Sequence, residues 1–352
     1  MTAPYLVSRG LTHEPFVTIA IPTFNRASWL KDCLVAALSQ TYQHFEVLVS
    51  DNASTDETPD VLRQFGDPRL RIVRQKSNIG LLPNWNACLA EARGEYIVYC
   101  SDDDRLSPRM VEWCVAVAAR DSQVPIVLGL YDSSWPAEGR VLHASPSDKF
   151  TTGIWKGTRL LVEYLRNKRF ATHICSMMIR SSILRAGGGL PLDFPTNCAD
   201  IAAWTPLLMK GDVGFVNDTC ATYCAHSASE TSTFTLEQLL DGQRQLADYI
   251  VAMADSAVED DSERCRVRLA AKFFLADRIV FNLAQYCKAG HRLVDVIPWV
   301  WRWRREIIYV GLVNPLNFAK PIALILFPKS MADRVRQLKR IYRQMFDSEQ
   351  VI

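Results

Sequence analysis

Three consecutive carboxylates, Asp102, Asp103 and Asp104, stand directly behind the apolar run Tyr96-Ile97-Val98-Tyr99-Cys100-Ser101. Such a run reads as a buried strand, which delivers the acids to its C-terminal end, where open α/β sheets bind ligands. Three adjacent negative charges repel one another unless a cation sits among them. Oxygen-only donors favour a hard divalent ion such as Mg²⁺ or Mn²⁺, which keeps open positions for substrate phosphates. A solvated acidic loop capping the helix that begins near Pro108 would carry the same triplet, so its surroundings must decide.

Those surroundings read as alternating strands and helices. Residues 16–21 are apolar and β-branched and end at Pro22-Thr23-Phe24-Asn25-Arg26, a strand followed by a loop. Leu30, Cys33, Leu34, Ala37 and Leu38 then recur at helical spacing. Residues 45–50 form the next strand, closed by Asp51-Asn52-Ala53-Ser54-Thr55-Asp56, and a helix passes through Val61, Leu62 and Phe65. A third strand at 70–73 leads to Asn78-Ile79-Gly80 and a helix carrying Trp85, Cys88, Leu89 and Ala92. The fourth strand delivers the aspartates. Four strands alternating with three helices imply a mainly parallel sheet covered on both faces.

Further on, residues 124–131 and 172–179 read as strands, 181–186 as a short helix, 200–209 as helical and 213–216 as a strand. Beyond residue 231 the period is helical, with helices near 236–253 and 266–286. The expected divisions are a lead at 1–15, the two halves of an α/β domain at 16–130 and 131–230, and a helical extension at 231–352.

Bulk composition narrows the class. The chain has 352 residues, 49% hydrophobic and 22% charged, which is globular material. A formal charge of +2 gives no global drive toward nucleic acid, so any basic patch must be local. The ten cysteines are scattered with no Cys-x-x-Cys pair, which argues against zinc or redox motifs and for reduced, mostly buried thiols in the cytoplasm. The first residues do not read as a signal peptide, and no stretch approaches the roughly 18 apolar residues of a membrane span.

With these segments in place, the chain resembles family 2 glycosyltransferases, the inverting enzymes of the GT-A fold. The likeness rests on residues 17–26, on residues 49–56, on Asn78-Ile79-Gly80, and on Gly94-Glu95-Tyr96 running into Ser101-Asp102-Asp103-Asp104. It is strong over 16–110, moderate to about 230 and absent beyond. Among members, the wording resembles bacterial enzymes building O-antigen, capsule or other surface glycans, abequosyltransferase-like ones included.

The resemblance implies roles. Pro22, Thr23, Phe24, Asn25 and Arg26 would line the base and ribose site, Asp51 would accept from the base, and Asn52, Ser54, Asn78 and Gly80 would complete the nucleotide-sugar site. A plain capping turn at 51–56 is the alternative for Asp51. In the metal motif Asp103 would be the principal ligand, Asp102 would lie near the ribose, and Asp104 would support the metal shell or cap the next helix. His226 resembles the histidine that closes the GT-A domain on the metal or diphosphate. Asp200 occupies the place of the acidic base, although Ala199 departs from the usual acidic pair; a first-turn or capping carboxylate is its alternative. Arg26, Lys76 and Arg105 could add phosphate contacts.

The tail adds a second theme. Trp299, Trp301 and Trp303 alternate with Arg302, Arg304 and Arg305, and an apolar run at 321–327 follows. Residues 331–345 then set Met331, Val335, Leu338, Ile341, Tyr342 and Met345 against Arg334, Arg336, Lys339, Arg340 and Arg343. Basic residues opposite apolar ones fit an anionic membrane surface, or packing on the domain or another subunit. The expectation is a Mg²⁺- or Mn²⁺-dependent inverting glycosyltransferase moving a sugar from a nucleotide-sugar donor to a glycan or lipid-linked glycan acceptor. It would work in the cytoplasm or on the cytoplasmic face of the inner membrane, with no nucleic acid partner, and could oligomerise through the C-terminal helices. A non-catalytic scaffold on the same fold and a sugar-nucleotide pyrophosphorylase are the rivals. The latter opens with a Gly-rich loop where this chain has Pro22-Thr23-Phe24-Asn25-Arg26.

Overall fold

A computed structural model describes residues 14–166, 172–226, 229, 233–288 and 293–313. The expected segments at 321–327 and 331–345 lie outside the described residues. The chain divides into two compact units, Met1–Thr233 with Asp248–Arg268, and Phe234–Ala247 with Leu269–Ile352.

The first unit begins as the alternation predicts: β1 (Val17–Thr23), α1 (Ala27–Leu38), β2 (Phe45–Asp51), α2 (Thr58–Arg63), β3 (Leu70–Arg74), α3 (Leu81–Glu91) and β4 (Tyr96–Tyr99). β1, β2 and β4 are buried at every position, as unbroken apolar runs covered on both faces must be. Then come β5 (Arg105–Leu106), α4 (Met110–Ala118), β6 (Ile126–Trp135), β7 (Arg140–Leu142), β8 (Gly153–Lys156), α5 (Gly157–Arg166), β9 (Met177–Arg180), α6 (Ser181–Ala186), α7 (Thr196–Trp204) and β10 (Asp212–Cys224).

Strand order is β3-β2-β1-β4-β9-β6-β10-β5, with β7 added to β6 and β8 to β10. β1 pairs in parallel with both β2 and β4, and β2 with β3. β9 runs antiparallel between β4 and β6, so the parallel character expected of the sheet holds in its N-terminal half and gives way to mixed pairing beyond β4. The chain builds outward from β1 to β3 and then returns to lay β4 on the other side of β1. That reversal opens a crevice at the C-terminal ends of β1 and β4, where Thr23 and the aspartates emerge.

Two segments differ from the periodicity. Residues 174–176 form a 3₁₀ turn, and β9 starts only at Met177. The helical pattern expected over 200–209 is α7, begun earlier at Thr196, followed by a 3₁₀ turn at Thr205–Met209 in which Pro206 has no N–H to continue the α-helix.

The second unit has its own apolar core, in which Leu240, Ile279, Leu283, Val296, Trp303 and Ile307 are buried together. These come from α8 (Leu236–Ala257), α9 (Asp261–Lys288), α10 (Leu293–Arg302) and α11 (Arg304–Val313), with Trp303 at the junction of the last two.

Candidate active site

The C-terminal ends of β1 and β4 are tied by one short bond: Thr23 Oγ1 donates to Asp102 Oδ2 at 2.7 Å. Asp102 is 8% exposed, and burial first, then its neighbour Asp103, pushes its carboxyl up to about 7, opposed by the Thr23 bond. Asp103 Oδ2 lies 2.9 Å from His226 Nε2 and 3.5 Å from the Arg26 guanidinium. Arg26 also approaches His226 at 3.4 Å, and the His226 ring stacks on Trp29 at 4.3 Å. Asp103, Arg26 and His226 therefore converge from three loops that are far apart in sequence.

A cavity of about 510 Å³ opens over this edge. Of the expected donor residues, Pro22, Thr23, Phe24, Arg26, Asn52, Asn78, Gly80, Asp102 and Asp103 line it, and so does Asp200 from α7. Asn52 holds Asn78 at 2.9 Å and receives the Ile79 N–H, which fixes the second and third loops together. Gly80, at φ +92, makes the turn that starts α3.

Asn25, Asp51, Ser54, Asp104 and His226 are not among the residues lining the cavity, and four of them make hydrogen bonds within the fold. Asn25 carries a left-handed φ of 53, receives the Thr55 N–H through its Oδ1 at 2.8 Å and donates its own N–H to Ser54 Oγ at 2.9 Å. Both side chains are thus spent on clasping the first loop to the second. Asp51, 1% exposed, accepts from the Ser54 N–H and from Arg74 at 2.6 Å, which satisfies both carboxylate oxygens within the fold. Asp104 is wholly buried, its Oδ1 accepts from the Cys224 N–H of β10 at 2.9 Å, and it groups with His173 and Cys175, their possible ligand atoms all within 4.8 Å of one another. Burial and then Asp103 push its carboxyl well above the usual range. His226, the fifth, touches the site through Asp103 rather than through the cavity wall.

Arg105 pairs with Asp32 at 2.6 Å. Eight of the ten cysteines are buried and all are free thiols.

Asp200 is the fifth residue of α7, and no acid lies in that helix's first turn, so the capping alternative for it falls away. Burial raises its carboxyl, and His173 opposes that rise. His173 lines the same cavity with its Nδ1 3.1 Å from Cys175 Sγ and its ring 5.5 Å from Tyr131 and 5.3 Å from Tyr223. Burial holds its basicity below the usual imidazole value, while Asp200 and then Asp103 oppose this. Asn197, one helical turn before Asp200, also lines the cavity, and both of its amide atoms are buried with no hydrogen-bond partner. Buried polar groups of that kind call for a ligand or water. His173, Asn197 and Tyr223 were not singled out from sequence. The lone His173 inside an expected strand was the signal for the first; nothing local marked the other two.

The donor set suits a hard cation. Asp103 offers a carboxylate beside an imidazole, and two further acids whose ionised forms are disfavoured by burial stand next to it.

The sequence profile described as glycosyl transferase family 2 matches residues 18–186. Chondroitin synthase of Pasteurella multocida (strain Pm70) and hyaluronan synthase of Pasteurella multocida are each 36% identical to the chain over 133 residues, 35% of this chain and 14% of theirs. The chain thus matches only a small part of those relatives. Among solved structures, S. aureus TarS 1-349 in complex with UDP superposes with a TM-score of 0.59 at 17% identity, covering 94% of this chain and 92% of that one. Mannosyltransferase PcManGT from Pyrobaculum calidifontis, in complex with GDP-Man and Mn2+, gives a TM-score of 0.51 at 19% identity over 99% and 92%. At these identities the likeness is one of fold.

Proposed function

From the premise that this chain carries a family 2 glycosyltransferase domain at residues 18–186, we propose that it is a metal-dependent inverting glycosyltransferase, moving a sugar from a nucleotide diphosphate to a hydroxyl of a growing, lipid-linked surface glycan. The observation that carries this reading is one cavity lined by Thr23, Asp102 and Asp103 from the ends of β1 and β4 together with Asp200, Asn197 and His173. Donor and acceptor would then meet in a cavity that has both charge-stabilising and proton-accepting groups.

In the reaction, the acceptor oxygen attacks the anomeric carbon from the face opposite the diphosphate. The new C–O bond forms as the bond to the phosphate oxygen breaks, and the hydroxyl proton passes to the Asp200 carboxylate. Asp200 suits this task because burial holds its carboxyl above the usual carboxylate range, so that it keeps a proton more readily. Asn197 would read a second acceptor hydroxyl through its unpartnered amide. Asp103, with His226 behind it, would hold the Mg²⁺ or Mn²⁺, which when bound neutralises charge building on the leaving diphosphate. Arg26, beside Asp103, adds a fixed positive charge on the same side. Relatives named for chondroitin, hyaluronan and teichuronic acid synthesis support an extracellular polysaccharide as the product class.

The test is a thermal-shift panel of nucleotide sugars with and without Mn²⁺, followed by transfer assays with the stabilising donor, since a ligand of the native state raises apparent stability. Asp103→Asn should lose the Mn²⁺-dependent part of the shift together with transfer. Asp200→Asn should keep the donor shift and lose turnover by roughly 100-fold or more. A protein that no nucleotide sugar stabilises, or an Asp200→Asn variant with normal turnover, would sink the assignment.

A further inference from the structure

The segment of α10 and α11 carries two stripes, one buried and one exposed. The inner one, Val296, Trp303 and Ile307, is buried in the second unit's core, with Trp299 and Val300 packed against it. The outer one runs Ile297, Trp301, Arg304 or Arg305, then Ile308, at steps of three and four residues, which places them on one ridge. Ile297 is 55% exposed, Trp301 70% and Ile308 59%. So large an indole left in water at the crest of a ridge is unusual for a free surface.

The tail's three tryptophans therefore have separate fates: Trp303 is core, Trp299 is half-buried and only Trp301 faces out. The arginines separate in the same way. Arg302 turns to Glu237 and Asp241, at 3.4 and 3.1 Å, and Glu306 is taken by Arg244 at 3.3 Å. Arg304 and Arg305 stay exposed, the Arg304 guanidinium lying 4.6 Å over the Trp301 ring. The outward ridge thus pairs apolar residues with positive charge, while Glu237, Asp241 and Glu306 are engaged by Arg302 and Arg244.

Charge along the chain points the same way. Residues 302–352 hold ten Lys and Arg against four Asp and Glu, whereas the whole chain sums to only +2, so everything before residue 302 is net acidic. The positive excess is concentrated on and after this ridge.

We propose that the ridge of Ile297, Trp301, Arg304, Arg305 and Ile308 docks the second unit on an anionic lipid bilayer. The two helices lie along the surface, Trp301, Ile297 and Ile308 enter the headgroup boundary, and Arg304 and Arg305 meet lipid phosphates. A nucleic acid would explain the arginines and leave the exposed isoleucines without a role. Docking does not depend on the sugar-transfer reading, because it is scored on protein that need show no turnover.

The experiment is vesicle flotation of the full chain, with phosphatidylcholine alone and with added phosphatidylglycerol, at low and high salt. The wild type should float with the anionic vesicles only and be released by salt. At about 1 kcal/mol per basic side chain near such a surface, Arg304→Gln with Arg305→Gln should weaken partitioning roughly 30-fold. Trp301→Ser should weaken it as well, with Ile308→Ser as a second probe of the apolar part. All are surface changes, so unaltered melting temperatures would separate lost docking from lost folding. A wild type that ignores anionic vesicles, or variants that float as it does, would overturn the proposal. So would a dimer that Trp301→Ser dissociates, or RNA retention lost in the arginine variant without any vesicle binding.

Discussion

At the scale of single residues, the site is a set of charges held where burial makes them costly. Asp200 and His173 oppose each other's shifts: burial raises the carboxyl and lowers the imidazole, and each is moved back by the other. If Asp200 is the base proposed above, His173 would act as a positioning residue that opposes the rise burial gives the Asp200 carboxyl. In His173→Gln the Asp200 carboxyl should rise further, so the acid limb of the kcat/KM profile should move to higher pH while donor binding is kept. An unmoved limb in a folded variant would remove His173 from this role. Asp200 stood out in the sequence only through its resemblance to a known motif, and His173 did not, because the two are distant along the chain and come to line one cavity only in the fold.

At the scale of elements, the site depends on tight loops at strand ends. Ala53 sits in the turn after β2 at φ 61, a left-handed conformation that an L side chain resists. Its N–H bonds to the Asp51 carbonyl at 2.9 Å, and the turn aims Asn52 at Asn78 and Ser54 at Asn25. Ala53→Gly should therefore stabilise the protein by about 1 kcal/mol, less what glycine loses in unfolded-chain entropy, read as a higher urea midpoint. A lower midpoint would mean that the turn does not hold this geometry in solution. The strands and helices themselves were legible from apolar periodicity, since a strand buried on both faces must be apolar throughout. The turn chemistry was visible as a polar cluster, but whether Asn25, Asp51 and Ser54 faced a ligand or each other was not.

At the scale of the whole molecule, the ends of β1 and β4 hold buried carboxyls whose charged forms are costly. Asp102 titrates near 7 and Asp104 is raised further, both first because of burial. For a carboxyl whose folded value lies above its unfolded one near 3.9, the neutral form is the one the fold prefers. Its contribution is full below about pH 4 and is lost as pH rises toward 7. The metal-free protein should accordingly lose roughly 2–4 kcal/mol relative to Asp102→Asn between about pH 4 and pH 8. Added Mn²⁺ should restore part of it at the upper end. Equal pH dependence of the two proteins in denaturant unfolding would show that Asp102 carries no such penalty.

The sequence by itself determined the alternation of strands and helices, the arrival of three aspartates at a strand end and the family likeness, because local periodicity and short motifs are properties of neighbours along the chain. Only the tertiary structure decided which of those aspartates faces the cavity. Consecutive residues in a loop point in different directions, so Asp103 went to His226 and Arg26, Asp102 to Thr23, and Asp104 inward to the Cys224 N–H. The same holds for the extension. Its helical period was plain, yet α8 and α9 each divide their residues between two compact units. Which tryptophan stayed outside was set by packing in the second unit, a matter of which faces meet and not of composition.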